Sequence, residues 1–305
     1  MTEQPDIIHI FAHHDSDGVT SAFFANLAIP NSEIVVTDEF GDTKKWKKGD
    51  WMVDMRPDNP MIEGTVIDHH LPHPENRKYE LISDDVPASL ITWRYFKDKI
   101  PKKEWWKLAI GLMGDGQPEL IPTEVYDECP TLLRMVKTSI YNSYGKWNIS
   151  MYPMYKLLSS SINSFLRKKE YDSAVNLVRY AESPMDIYTS TDVRMAKQDI
   201  KNEFTNALKD AEIFEYGNLV IVTFHSRYRL SGYVGSSLLT SLNEKTVMAI
   251  NNKDGSVSLR GDLATYYRDK LSGIKYLQID GHPGFMGGKL TKNYHTLISD
   301  LNNIL

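Results

Sequence analysis

The sequence predicts an α/β protein with an N-terminal parallel sheet, a helical connector and a smaller C-terminal α/β domain with a mixed sheet. Three observations predict it. Short apolar runs alternate with polar or helical stretches over the first 70 residues, as βα units do. Polar residues recur where those runs end, and open α/β sheets hold their ligands at the C-terminal ends of strands. A long amphipathic segment then precedes a second set of strand-like runs.

Taken in order, IIHIFA (7–12) reads as a strand and GVTSAFFANLAI (18–29) as a helix entered through a polar turn. EIVVTDEF (33–40), DWMVDM (50–55) and GTVIDHH (64–70) read as further strands. Residues 87–212 are predicted to be mainly helical, with apolar residues at helical spacing in VPASLITWRYF (86–96) and KKEWWKLAIGLMG (102–114). TDVRMAKQDIKNEFTNALKDAEIF (191–214) opens on a Thr/Asp cap and reads as one long amphipathic helix. GNLVIVTF (217–224) restarts strand alternation, GYVGSSLLTSL follows as a helix, and KTVMAINNKDGSVSLRG (245–261) reads as a hairpin turning at Lys253-Asp254-Gly255. The expected organisation is a domain over 1–190, a connecting helix over 191–214 and a domain over 215–305.

Composition narrows the function classes. Of the 305 residues, 41% are apolar and 25% charged, as in soluble globular proteins. No run of about 18 apolar residues predicts a membrane span, so no membrane partner is expected. The N-terminal MTEQPD lacks the basic and apolar regions of a secretory signal. A single cysteine, Cys129, excludes an internal disulfide framework. Together these predict a cytoplasmic protein. The net charge of −5 argues against a long duplex partner. That charge is uneven: 10 basic and 6 acidic residues follow from Gly217 onward, leaving 25 basic and 34 acidic before it. Such a division suits metal-holding carboxylates in the first part and a phosphate-holding surface in the second.

The candidate chemistry begins at His13-His14-Asp15-Ser16-Asp17-Gly18, five polar side chains ending an apolar strand. Residues i, i+2 and i+4 of an extended chain share a face, so His13, Asp15 and Asp17 can converge on cations. Mixed imidazole and carboxylate donors suit manganese or zinc better than calcium. The same Asp-x-Asp-Gly pattern also occurs in calcium loops and in dehalogenase-type phosphatases, where the first Asp is the nucleophile. His14 and His9 alternate to other positions and read as structural. Asp54 ends the next strand as either a turn cap or a metal ligand. Asp68-His69-His70 ends another, with its histidines pointing to different sides and Asp68 placed to support one of them. Asp115 lies between glycines in GLMGDGQPEL, where a C-capping turn explains the glycines equally well. Farther on, Arg260 can clamp a phosphate bidentately. IDGHPGFMGG, with Gly281, His282, Gly287 and Gly288, reads as a loop that lets an anion approach the backbone.

In this order the motifs resemble the DHH phosphoesterase superfamily with its DHH-associated C-terminal domain, from His13 to Gly288 and apart from the middle helices. Asp68-His69-His70 matches the namesake motif, Gly281-His282 the glycine-rich histidine loop, and RLSGYVGSSLL (229–239) the entry to the C-terminal domain. The resemblance implies a catalytic domain over 1–190, a substrate-binding domain over 215–305 and an active site in the cleft between them. It implies two manganese ions, with magnesium as the alternative. His13 and Asp15 would hold one, Asp17, His69 and Asp115 the other, and Asp54 both. His70 would face the phosphate while Asp68 orients the histidines. Two departures stand out. His13 precedes Asp15 by two residues, a spacing shared with RecJ-type nucleases that use Asp first, whereas many small-substrate members place the histidine four before. Asp280 occupies a position where the family has glycine.

The implied activity is a two-metal phosphodiesterase hydrolysing single-stranded or short oligonucleotides from an end. Alternatives within the superfamily are cyclic dinucleotides or pAp. Outside it stand a dehalogenase-type phosphatase, which leaves Asp68-His69-His70 and His282 without roles, and a non-catalytic nucleic-acid-binding subunit, which would be expected to lose its ligands. A second copy of the chain or a replication or repair protein is the partner such a nuclease would take.

Overall fold

A computed structural model describes residues 7–37, 41–70, 72–141, 147–242, 245–282 and 284–304. The chain divides into two compact units, Met1–Lys137 with Met151–Ala196, and Thr138–Ser150 with Lys197–Leu305.

In the first unit β1 (Ile8–Ala12) leads into α1 (Ser16–Ala28) and β2 (Ser32–Val36), and β3 (Trp51–Val53), β4 (Thr65–Ile67) and β5 (Glu80–Ile82) follow. The five strands form one parallel sheet in the order β2-β1-β3-β4-β5. The chain therefore leaves β1 in one direction for β2 and returns on its other side for β3. Such a reversal opens a crevice at the carboxyl ends of the two strands. Ala12, Val53, Ile67 and Ile82 pair in one row across the sheet. His13, Asp54 and Asp68, the next residues of their strands, thus share the sheet's C-terminal edge.

The expected βα alternation holds only for β1-α1-β2; loops alone connect β2 to β3, β3 to β4 and β4 to β5 among the described residues. Side-chain alternation explains how the sheet is covered all the same. Ile10, Ala12, Val53 and Ile67 face a core built with the helices. Phe11, Met52 and Val66 face a smaller core completed by Met55, Ile62 and Tyr79 from the loops. Burying each such side chain stabilises by about 1.5–3 kcal/mol, enough for loops to replace helices on that face.

Helix α1 is buried nearly all round, from Ser16 to Ala25. Its small residues let neighbouring helices approach closely. Those neighbours include α2 (Ala88–Phe96), α3 (Leu108–Gly114), α5 (Tyr155–Lys168) and α6 (Tyr171–Tyr180), with α4 (Thr123–Glu128) and α7 (Pro184–Thr189) completing the helical layer. The middle region is not wholly helical as expected. A two-stranded ladder of β6 (Met135–Tyr141) and β7 (Trp147–Pro153) interrupts it.

Helix α8 (Thr191–Lys209) is the predicted long amphipathic helix, and the boundary between the units falls within it. The stretch read as its end turns instead into β8 (Glu212–Tyr216). Then come β9 (Leu219–Phe224), α9 (Ser231–Leu239), β10 (Thr246–Asn251), β11 (Ser256–Arg260), α10 (Ala264–Leu271), β12 (Leu277–His282), β13 (Phe285–Leu290) and α11 (Tyr294–Ile304). The sheet order is β12-β13-β11-β10-β9-β8, mixed because only β9 and β10 run parallel. One face carries Ile221, Met248 and Leu259 against residues of α10 and α11. The other carries Val222, Val247 and Ala249 against Phe204 of α8 and Val234 of α9.

Candidate metal centre

The polar motif after β1 does not continue as an extended strand. Asp15 is the N-cap of α1, its Oδ1 accepting the Gly18 amide at 2.9 Å, and Asp17 falls in the helix's first turn. The turn, rather than strand periodicity, brings His13, Asp15 and Asp17 together. Asp15 Oδ2 lies 2.7 Å from His13 Nδ1. Asp17, fully buried, accepts the Ser89 amide of α2 at 3.2 Å.

Asp115 reaches the same place because α3 packs against α1 through glycines. A Cβ on Gly111 would stand 2.3 Å from Ser89 Oγ and 2.8 Å from Asp17 Oδ1. One on Gly114 would stand 2.2 Å from Ser16 Oγ. These two glycines permit helix contact, beyond the capping turn that sequence suggested. Ser16 is itself tied to Ser159 of α5 at 2.8 Å.

Asp54 adopts a left-handed backbone, with φ of 59°, a conformation that costs a non-glycine residue about 1–2 kcal/mol. It is 1% exposed, and neither carboxylate oxygen accepts a directed hydrogen bond from a protein group. Its Oδ2 lies 3.5 Å from His13 Nδ1 and its Oδ1 3.2 Å from His69 Nε2. His69 Nε2 is also 3.3 Å from Asp115 Oδ2, another buried oxygen without a hydrogen bond. Donor atoms therefore converge in three groups, each within 4.8 Å: His13-Asp15-Asp54, Asp17-His69-Asp115 and Asp54-His69-His70.

Electrostatics express the same crowding. Burial, then the charge of Asp54, pushes Asp17 up to about 7. Burial, then Asp17 and Asp54, raises Asp115 well above its ordinary value. Burial would lower His69, but contact with Asp54 and the charges of Asp17 and Asp115 lift it to about 10. At His13, too, burial would lower the group, but Asp15 and Asp54 outweigh it and raise it well above its ordinary value. Asp17, Asp115, His13 and His69 thus favour their protonated forms, whereas His13, against burial, holds Asp15 well below its ordinary value; cations would take the place of those protons. The set fits divalent cations: buried oxygens lacking partners, and mixed nitrogen and oxygen donors of the kind that take Mn2+, Zn2+ or Mg2+.

Asp68, fully buried, accepts three N–H groups on Oδ1: the His69 amide at 2.9 Å, the His70 amide at 3.2 Å and His70 Nδ1 at 2.7 Å. The second oxygen lies 3.1 Å from Nε2 of His73, which belongs to none of the motifs drawn from the sequence. Ser89 likewise belongs to none of them, its signal being only a small residue on a buried helix. His14 stays outside the three groups, its Nδ1 3.2 Å from the Thr37 carbonyl, and His9 pairs with Asp50, its backbone amide donating at 2.8 Å.

The remaining candidates belong to the second unit. Arg260, at the end of β11, donates from Nη1 to the Met286 carbonyl at 2.5 Å and the Leu259 carbonyl at 3.1 Å. Its Nε is buried without an acceptor, and burial lowers its pKa to about 10. The glycine-rich stretch is not the loop that was expected. Gly281 lies in β12 and Gly287 and Gly288 in β13, paired in an antiparallel ladder. Glycine serves that pairing at Gly288, where a Cβ would stand 2.0 Å from the Gln278 carbonyl oxygen. His282 ends β12; its side chain lies outside the described residues.

No family model and no curated protein matches the sequence. Solved structures match the fold over nearly all of it. RecJ from Thermus thermophilus in complex with Mn2+ aligns with a TM-score of 0.67 at 14% identity, over 97% of this chain and 51% of that one. This chain therefore spans about half the length of that RecJ, which has also been solved with Mg2+. CDC45 from Entamoeba histolytica aligns with a TM-score of 0.59 at 9% identity, over 98% and 95% of the two chains. The pGpG-specific phosphodiesterase PggH from Vibrio cholerae aligns with a TM-score of 0.52 at 13% identity, over 98% and 100%. The chain shares the fold of these structures, a parallel sheet followed by helices and a mixed sheet. At its strand ends it carries a His/Asp cluster able to hold metal.

Proposed function

We propose that the protein is a metal-dependent phosphodiesterase that hydrolyses short or single-stranded oligonucleotides. The observation that carries this reading is Asp54. It is buried at a sheet edge with two unsatisfied oxygens, one directed toward the His13 group and the other toward the His69 group. In this reading His13 and Asp15 would hold one cation and Asp17, His69 and Asp115 a second, with Asp54 serving both groups. Divalent cations there, Mn2+ or Mg2+, would supply an acidified water and positive charge to offset that of a phosphate. The chain's own residues supply the rest. Asp68 accepts the Nδ1 proton of His70 and, against burial, favours the charged ring, so that His70 can present an Nε2–H to the phosphate. Arg260 and His282 receive a phosphate, the backbone of Gly287 and Gly288 being paired with strands on both sides and the Gly281 amide with Asp280 Oδ1. Asp15, with one oxygen on a helix-cap amide and the other on His13, suits a ligand better than a covalent nucleophile.

The substrate is short. PggH, which acts on pGpG, is matched over its entire length, whereas RecJ is matched over 51% of its own. Dinucleotides, linear or cyclic, are therefore the second reading of the same site. The test is digestion of end-labelled DNA and RNA ladders of about two to twenty nucleotides, with Mn2+, beside pGpG, a cyclic dinucleotide, pAp and pyrophosphate. Turnover of the shortest oligonucleotides is expected. Cleavage of pyrophosphate alone would overturn the reading, and cation binding without any turnover would leave a binding protein.

A further inference from the structure

Asp68 has two oxygens, and the reading above uses one. Oδ1 collects the three N–H groups that orient His69 and His70. Oδ2 faces His73 Nε2 at 3.1 Å. The His73 side chain is 1% exposed, and its Nδ1 meets the Tyr79 hydroxyl at 2.8 Å. Tyr79 is 3% exposed and packed in the loop-side core with Phe11 and Met52.

The local sequence is built to hold that ring still. His73 stands between Pro72 and Pro74, which fix their own φ and restrict the residue before each. The carbonyl of Pro72 accepts from Arg56 Nη1 at 2.7 Å. The buried imidazole hydrogen-bonds Tyr79 through Nδ1 and sets Nε2 at ion-pair distance from Asp68 Oδ2, without hydrogen-bond alignment; on a stiff segment it cannot turn without losing both contacts.

We infer that His73, backed by Tyr79, is a positioning residue that locks the Asp68 carboxylate in the orientation fixing the Nδ1 proton and direction of His70. The chain Tyr79–His73–Asp68–His70 runs from the loop-side core to the candidate site. Without His73, Oδ2 of the buried Asp68 faces no donor, and the carboxylate gains a reason to rotate away from His70. Outer partners of this kind typically matter about 10–100-fold in activity or metal affinity.

The kinetic part of the test rests on the phosphodiesterase reading; the spectroscopic part does not. Long-range 1H–15N spectra of the imidazoles in metal-free protein report whether each His70 nitrogen carries a proton. His73→Leu keeps the volume and removes both nitrogens, while His73→Gln restores an N–H toward Asp68. For His73→Leu the expected result is loss of the fixed Nδ1–H signature of His70. The kcat should fall about 10–100-fold, with KM and cation stoichiometry unchanged. His73→Gln should recover much of both. An unchanged His70 signature in His73→Leu overturns the inference. If the wild type turns over no phosphodiester, the functional reading fails while the spectrum still decides this one. Should His73→Leu not fold, Tyr79→Phe takes its place under the same criteria.

Discussion

Asp54 Oδ1 and His69 Nε2 lie 3.2 Å apart across the ends of neighbouring strands, without hydrogen-bond alignment. A carboxylate with this burial normally collects donors, as Asp68 does one strand away. Asp54 is instead held in a left-handed backbone with its oxygens divided between two donor groups. Strain of this kind persists at functional sites because the surroundings impose it.

Replacing Asp54 should therefore separate stability from metal binding. Asp54→Gly suits a φ of 59° and removes a buried carboxylate whose oxygens accept no directed hydrogen bond. The metal-free variant should be at least as stable as wild type, gaining about 1 kcal/mol from the backbone. Mn2+ binding and any hydrolysis should be lost. Thermal melts and metal analysis check both. Two cations retained by Asp54→Gly would refute its shared role.

The same cluster makes metal-free stability depend on pH in a definite direction. His69 is raised to about 10 in the folded protein from an ordinary value near 6.5. Its contribution is complete below pH 6.5 and lost as pH rises through 10. Asp17, raised to about 7 from 3.8, also binds a proton in the folded state that the unfolded chain releases, so it adds a loss between those values. Stability without metal should fall as pH rises from about 4 to 10 on account of these groups. Mn2+ must displace those protons, so its affinity should climb with pH, by up to about tenfold per unit for each proton released. Denaturant melts at pH 6, 8 and 10, with and without Mn2+, measure this. A metal affinity indifferent to pH would count against the assignment.

Gly111 offers a test that touches no ligand. A methyl group there would press on Ser89 and on Asp17 Oδ1. Gly111→Ala should cost about 1–3 kcal/mol by overpacking and weaken the Asp17-His69-Asp115 group. Calorimetry should then show one cation site impaired and the His13 group retained. Equal loss at both sites would mean that the two groups do not bind separately.

What sequence made legible was the sheet edge. His13, Asp54 and Asp68 each follow an apolar run, and strand register alone places them in one row. What it hid follows other physics. Asp15 and Asp17 converge through a helix cap, which period-two reasoning cannot supply. The β6–β7 ladder passed as helix because its outward faces are not polar: Met135, Ile149 and Met151 are exposed. The stretch 281–288 read as a loop because glycine disfavours strands, yet Gly288 sits where the neighbouring strand leaves no space for a side chain. His73 carries no pattern at all; its partner, Asp68, belongs to a motif that reads as complete without it.

Arg260 is the charged candidate of the second unit. A guanidinium with a buried, unsatisfied Nε and no carboxylate paired to it among the described residues is a stability cost that an anion would offset. Burial disfavours its charge, which is why its pKa falls to about 10. Arg260→Met keeps the aliphatic stem beside Gly235 and removes the charge. In the absence of substrate this variant should be more stable than wild type by about 1–2 kcal/mol. It should also raise KM for an oligonucleotide by about tenfold, the loss of one charged hydrogen bond, while kcat changes little. Melting curves and steady-state kinetics on one preparation test both halves. A variant that is less stable and has an unchanged KM would make Arg260 a structural residue, held by the Met286 and Leu259 carbonyls rather than kept for a phosphate.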